Sequence, residues 1–182
     1  MGAIATEPAA DGTPAPQRTV TANPGNVNSP LAIPAAELRR AGWRFGGGGE
    51  APSGDDRRQL NLNKGKTVVS NYWTKGSGAN TQLLVDIRWE FPTASNAEAF
   101  FTYSDKDIVN NTDTPTKRLT DAPDLGDQTN SYEYREPAAN GDGVFYVVLF
   151  RQGARVGGVA VLGTTATLKK AEAYRLARLG VE

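Results

Sequence analysis

The chain contains no cysteine and no histidine among its 182 residues. The first absence removes disulfides and thiol nucleophiles. The second removes imidazole general bases and Ser-His-Asp triads, and together they remove zinc sites built on nitrogen or sulfur ligands. Side-chain chemistry is left to carboxylates, lysine, tyrosine and oxygen-ligated metals. Missing cysteine does not fix the compartment, because many envelope proteins also lack disulfides. Charge of one sign is absent too: twenty basic residues balance twenty acidic ones. The phosphate attraction that supports most nucleic-acid binding is therefore missing, and no nucleic-acid partner is expected. The longest apolar run, residues 144–150, is strand-sized, far short of the roughly 20 residues that span a bilayer. The start, Met1-Gly2-Ala3-Ile4, has neither a charged n-region nor an apolar h-region, so no signal peptide is visible. Tethering would need a segment outside this sequence.

Residues 1–32 are rich in Ala, Pro, Thr, Gly and Asn and hold almost no large apolar side chains. Such a stretch cannot offset its ordering entropy by burial, which predicts a flexible N-terminal arm or linker ahead of a single domain over residues 33–182. Within that domain, residues 34–41 read as a short helix with Pro34 in its first turn and Gly42 as its stop. Trp43-Arg44-Phe45 reads as a short strand or hook. Residues 46–58, opening on four glycines, read as a flexible loop, since the phosphate-loop spacing is absent.

From residue 66 onward the period is that of strands. Residues 66–74 are β-rich, and Lys75-Gly76-Ser77-Gly78 supplies a turn. Over residues 83–91, Leu83, Val85, Ile87, Trp89 and Phe91 alternate with Leu84, Asp86, Arg88 and Glu90, which predicts one buried face and one wet, charged face. Ser95-Asn96-Ala97-Glu98 has capping-box spacing for a helix whose inner face carries Ala97, Phe100, Phe101 and Ser104. Residues 106–127 read as a long polar loop with one short strand near Arg118. Residues 131–136 form a further strand, Asn140-Gly141-Asp142-Gly143 a turn, residues 144–151 the most apolar and central strand, and residues 155–162 the last strand. A helix capped by Thr165 or Thr167 closes the chain, with Leu168, Ala171, Tyr174 and Leu176 facing inward. Tight connections between the late strands imply antiparallel pairing. The expected class is α+β: a mostly antiparallel twisted sheet covered by helices on one face.

Leu125-Gly126-Asp127, Phe150-Arg151-Gln152-Gly153 with Val156 and Val159, and the closing Leu176-Ala177-Arg178-Leu179 resemble a loose group of bacterial extracytoplasmic domains. That group comprises lipoproteins and the external sensor-type domains of membrane kinases. Ala36-Glu37-Leu38, Ala41-Gly42-Trp43 and Ala97-Glu98-Ala99-Phe100 are similar as well, so the likeness spans residues 33–181, although Gln128-Thr129 departs from the acidic residue and Ser more usual there. The resemblance implies an envelope location and a domain that senses, binds or scaffolds, and it implies no reaction.

Three constellations bear on function. Asp105, Asp107, Asp113, Asp121, Asp124 and Asp127 lie close in sequence, but they lack the alternating spacing of a calcium loop and read as a solvated acidic loop. Asp86 and Glu90 stand four residues apart on one strand, about 13 Å by strand rise, which is too far for paired-carboxylate hydrolysis. With Arg88 they read as a solvated face, paired across strands with Arg135 or Arg151. Among the aromatics, Trp89 and Tyr146 alternate with core positions and read as packing. Tyr72 and Trp73 must point to opposite faces, while Tyr132 and Tyr134 share one, opposite Glu133 and Arg135. Tyr72, Trp73, Tyr132 and Tyr134 are thus the candidate contact residues for a ligand or partner. The sequence favours a non-catalytic extracytoplasmic module that docks on a protein partner or larger assembly, without cofactor or metal. A small-ligand sensor with a pocket between sheet and helices is the alternative.

Overall fold

The computed structural model describes residues 26–49, 54–112, 115–136 and 142–181. In chain order the elements are α1 (Ala35–Arg40), β1 (Arg44–Gly48), α2 (Gly54–Leu62), β2 (Lys66–Lys75), β3 (Gln82–Glu90), α3 (Ala94–Asn110), β4 (Lys117–Leu119), β5 (Gln128–Arg135), β6 (Gly143–Gln152), β7 (Arg155–Thr164) and α4 (Lys170–Leu179). The strands form one seven-stranded sheet in the order β1-β2-β3-β7-β6-β5-β4. Each of its six pairings is antiparallel. The α+β, antiparallel expectation is met, with β7 as the middle strand and β6 beside it.

Helices pack on both faces of this sheet instead of one. On the first face α1 contributes Leu38 and α4 contributes Ala173, Tyr174, Leu176 and Ala177, packed over Trp73, Leu84, Val148, Phe150, Val159 and Val161. On the second, Leu60 of α2 and Ala97, Phe100 and Phe101 of α3 pack over Tyr132, Leu149 and Val156. Strand parity explains the division: Val156 and Val159 of β7 stand an odd number of residues apart and point to opposite sides.

The same parity corrects the expected orientation of β3. Leu84, Asp86 and Arg88 are the fully buried set, while Leu83, Val85, Ile87 and Trp89 are half-buried on the second face. The four-glycine stretch is likewise no loop at its start. It continues β1 as an edge strand, with a register shift between Phe45 and Gly47. A Cβ on Gly46 would fall on the Tyr72 ring, so glycine lets the phenol lie flat over the strand. Residues 54–62, expected as loop up to Arg58, form α2. Helix α3 is capped by Thr93, whose hydroxyl accepts from Asn96 N at 3.2 Å, two residues earlier than the capping-box spacing predicts. It also runs to Asn110, into residues expected as loop. Lys169 precedes α4 without a side-chain cap, and Ala171 is exposed. Part of the Asn140-Gly141-Asp142-Gly143 turn lies outside the described residues.

Of the arm expected over residues 1–32, residues 26–32 pack on the first face. Ala32 is buried, Val27 touches the core, and Asn26 Nδ2 donates to Val68 O at 3.4 Å. Residues 1–25 lie outside the described part.

Two of the short motifs that carried the resemblance, Leu125-Gly126-Asp127 and Phe150-Arg151-Gln152-Gly153, meet in one contact. Asp127 Oδ2 accepts from Arg151 Nη1 and from Gly153 N, each at 2.8 Å. Gly126 holds φ +118, where a Cβ would press on Arg151 O. Phe150 inserts into the core beside them. The entry to β5 is thereby latched to the β6–β7 hairpin. Asp127→Ala removes both bonds, and urea unfolding should show a loss of about 1–2 kcal/mol. An unchanged midpoint would contradict the latch.

Candidate functional site

Two regions stand out, one on each face of the sheet. The first centres on Asp86 and Arg88. The two side chains lie on one face of β3, two residues apart, and are 0% and 5% exposed, with Arg88 Nη1 at 2.5 Å from Asp86 Oδ1. Asp86 Oδ2 accepts the Ile33 N–H at 2.8 Å, which ties the segment before α1 to the middle of the sheet. Arg88 Nη1 also donates to the Ile87 and Gly158 carbonyls at 2.8 and 3.2 Å. Gly157 lies between Arg88 and Phe150 in register, and its missing side chain lets the guanidinium sit 5.0 Å over the Phe150 ring. Burial pushes the Asp86 carboxyl up from its ordinary value and the Arg88 guanidinium down. The opposite charge of each partner, and for Asp86 the Ile33 N–H, pull the other way.

Sequence reasoning placed these residues on a solvated face paired with Arg135 or Arg151. Instead Arg135 bonds Glu133 and Arg151 bonds Asp127. Glu90, at the strand end, meets Lys66 at 3.3 Å and Arg155 at 3.2 Å. The signal that points inward was present: two opposite charges at i and i+2 share a face with Leu84, and β7 carries a glycine, Gly157, across from Arg88.

The second region is the part of the opposite face that no described helix covers. Two cross-strand rows run over it. One reads Tyr72, Val85, Ala160, and the other Thr74, Leu83, Leu162, Phe145, Tyr134. All are half-buried except Leu162, which is 37% exposed. Of the expected contact residues, Tyr72 and Tyr134 therefore stand at opposite sides of this open surface. Trp73 is fully buried on the other face, edge-on to Phe45 at 5.1 Å between centroids. Tyr132 is 1% exposed beneath α3. Val85, Leu162 and Phe145 escaped sequence reasoning, because they read as ordinary core positions.

The acidic residues disperse into separate contacts. Asp105 Oδ1 accepts from Arg118, from Asn130 at 2.9 Å and from Tyr132, clamping α3 to β4 and β5. Asp121 meets Lys170 and accepts from Tyr174 at 3.1 Å, clamping α4. Asp127 forms the latch. Asp113 lies outside the described residues. Among the described residues, no group of three or more acidic side chains could hold a metal ion, and no helix is long and apolar enough to cross a membrane.

No protein-family profile matches the chain, and no curated protein matches it in sequence. Among solved structures, the extracellular domain of PknH from Mycobacterium tuberculosis is similar in fold, with a TM-score of 0.60 and 15% identity over 83% of this chain and 91% of that one. At that identity the likeness speaks for the fold.

Two outcomes follow from the buried groups. Asp86→Ala strands a charged guanidinium and should cost about 3–5 kcal/mol in urea unfolding, and adding Arg88→Met should recover most of the loss. An Asp86→Ala protein as stable as the parent would contradict the pairing. Burial first, then the Asp105 carboxylate, raises the Tyr132 phenol above its ordinary value of 10.0. The unfolded chain ionises first, so this contribution is full below about pH 10 and declines as pH rises beyond it. Tyr132→Phe should flatten that alkaline loss. Identical alkaline slopes for parent and variant would count against it.

Proposed function

We propose that the chain is a non-catalytic extracytoplasmic module that docks a protein partner on the open part of its second sheet face. The observation that carries the reading is the apolar surface formed by Val85, Ala160, Leu162 and Phe145, left without a described helix over it. Contiguous apolar surface of this kind is characteristic of interaction sites. Tyr72 and Tyr134 flank it, and tyrosine combines large apolar area with a polar tip that tolerates the wet rim of an interface. Trp73 and Tyr132 serve this surface from below, by fixing β2 and β5. The arm preceding residue 26 supplies a further contact.

The likeness to an extracellular domain, together with the resemblance of the latch motifs, supports a place outside the cytoplasm. Zero net charge and the absence of cysteine and histidine support an interaction role over nucleic-acid binding or nucleophilic catalysis. The reading calls for no cofactor. The alternative, a small-ligand sensor, is favoured by a different observation, the cavity beside Arg88.

The test is native mass spectrometry of the protein isolated from its source, compared with Leu162→Asp. The parent should run in a complex, and the variant should lose at least tenfold in affinity while its unfolding free energy stays within about 0.5 kcal/mol, as an exposed substitution allows. A parent that is monomeric, or a complex indifferent to Leu162→Asp, would overturn the docking face.

A further inference from the structure

Arg88 carries an observation that the docking face does not use. Its Nη1 is fully engaged, whereas Nε and Nη2 are buried with no hydrogen-bond partner. Those two nitrogens form one edge of the planar guanidinium, the edge that matches both oxygens of a carboxylate. The indole nitrogens of Trp43, Trp73 and Trp89 and the amide of Asn71 are also buried without partners, but the Arg88 pair belongs to a charged group, for which an unmet donor is most costly.

A cavity of about 380 Å³ lies against this side chain. Its walls are residues 30–32 and Pro34 on one side, the turn 179–181 on another, and the sheet residues Trp89, Phe150 and Val156 below. The volume is within the range of small-molecule sites, and the walls are mostly apolar with few polar groups, which is the usual make-up of such sites. Gln152 and Arg155 stand at its mouth and also line an adjoining open cavity that carries Lys64 and Lys66. Across the two cavities and the pair beneath them, Arg88, Arg155, Lys64 and Lys66 outnumber Asp86 and Glu90. Gly180 completes the wall where a Cβ would fall on Arg88 Nη2, so the chain is bare where it meets the guanidinium.

We propose that this cavity binds a small organic anion, a carboxylate carried on an apolar body, with Arg88 as the buried anchor and Arg155 and Gln152 at the mouth. Asp86 keeps the anchor balanced and aimed, and the anion answers the remaining positive charge. The apolar body rests on Phe150, Leu31 and Pro34. Nε and Nη2 are sealed, Nη2 beneath the turn 179–181, so the anion reaches them as that turn moves aside. The inference does not rest on the docking face, and its test leaves that face unchanged.

The experiment is a titration of the ¹⁵N-labelled full chain with benzoate, with inorganic phosphate as comparator, followed at the Arg88 Nε–H and the Gln152 side-chain amide. Benzoate should shift both signals saturably and more tightly than phosphate. Because Arg88→Met also disturbs the core, the rim variants carry the comparison: Arg155→Ala and Gln152→Ala should each weaken benzoate binding five- to tenfold in a folded protein. A silent Arg88 Nε–H, a response confined to Arg155, or phosphate binding tighter than benzoate would overturn the proposal.

Discussion

Everything on the first face of the sheet is arranged around the buried pair of Asp86 and Arg88. Removing two charges from water is costly, and the cost is met only when each charge has a partner and the remaining donors and acceptors are satisfied. Asp86 meets that demand with Arg88 and the Ile33 N–H. Arg88 meets it in part, through Asp86, two backbone carbonyls and the face of Phe150, and leaves Nε and Nη2 without an acceptor. Those partners come from the segment before α1, from β3, from β7 and from β6. One pair therefore fixes where the chain enters the domain and which side of β3 faces inward. It also explains the glycine at 157, where a side chain would separate the guanidinium from the ring.

The strands, their antiparallel pairing and the three buried residues of α3, Ala97, Phe100 and Phe101, are largely legible from periodicity and turn residues. Which face of β3 is inside is not. Alternation defines two faces, and the apolar set Leu83, Val85 and Ile87 looks like the buried one when each strand is read alone. The opposite choice is made by tertiary structure, because α1, α4 and residues 26–33 all pack on the side of Leu84. The start of edge strand β1 was legible at residues 43–45, but its continuation into the glycines was hidden for a similar reason. Glycines read as loop when isolated, yet here they make room for Tyr72 and Ser70 of the neighbouring strand. At the candidate site, the adjacency of Tyr72 and Trp73 correctly implied opposite faces. Nothing local told that Trp73 would be the covered one, or that Tyr132 would be sealed under α3.

The two faces have separate duties in this account. The first, sealed by the entry segment and the closing helix, holds the ion pair and the anion cavity. The second is covered by α3 at one end and open at the other, and it offers the apolar surface for docking. The latch of Asp127 with Arg151 and Gly153 links them, because it fixes the β6–β7 hairpin from which both Gln152 at the cavity mouth and Val156 beneath α3 are hung.

The most direct measurement of the central claim is native-state hydrogen exchange at the Ile33 amide. If the buried pair anchors the entry segment, that amide should exchange only through global unfolding, with the same protection as the amides of β7. Exchange at the rate of an exposed turn, while β7 remains protected, would mean that the segment opens independently and that the pair does not hold the fold together.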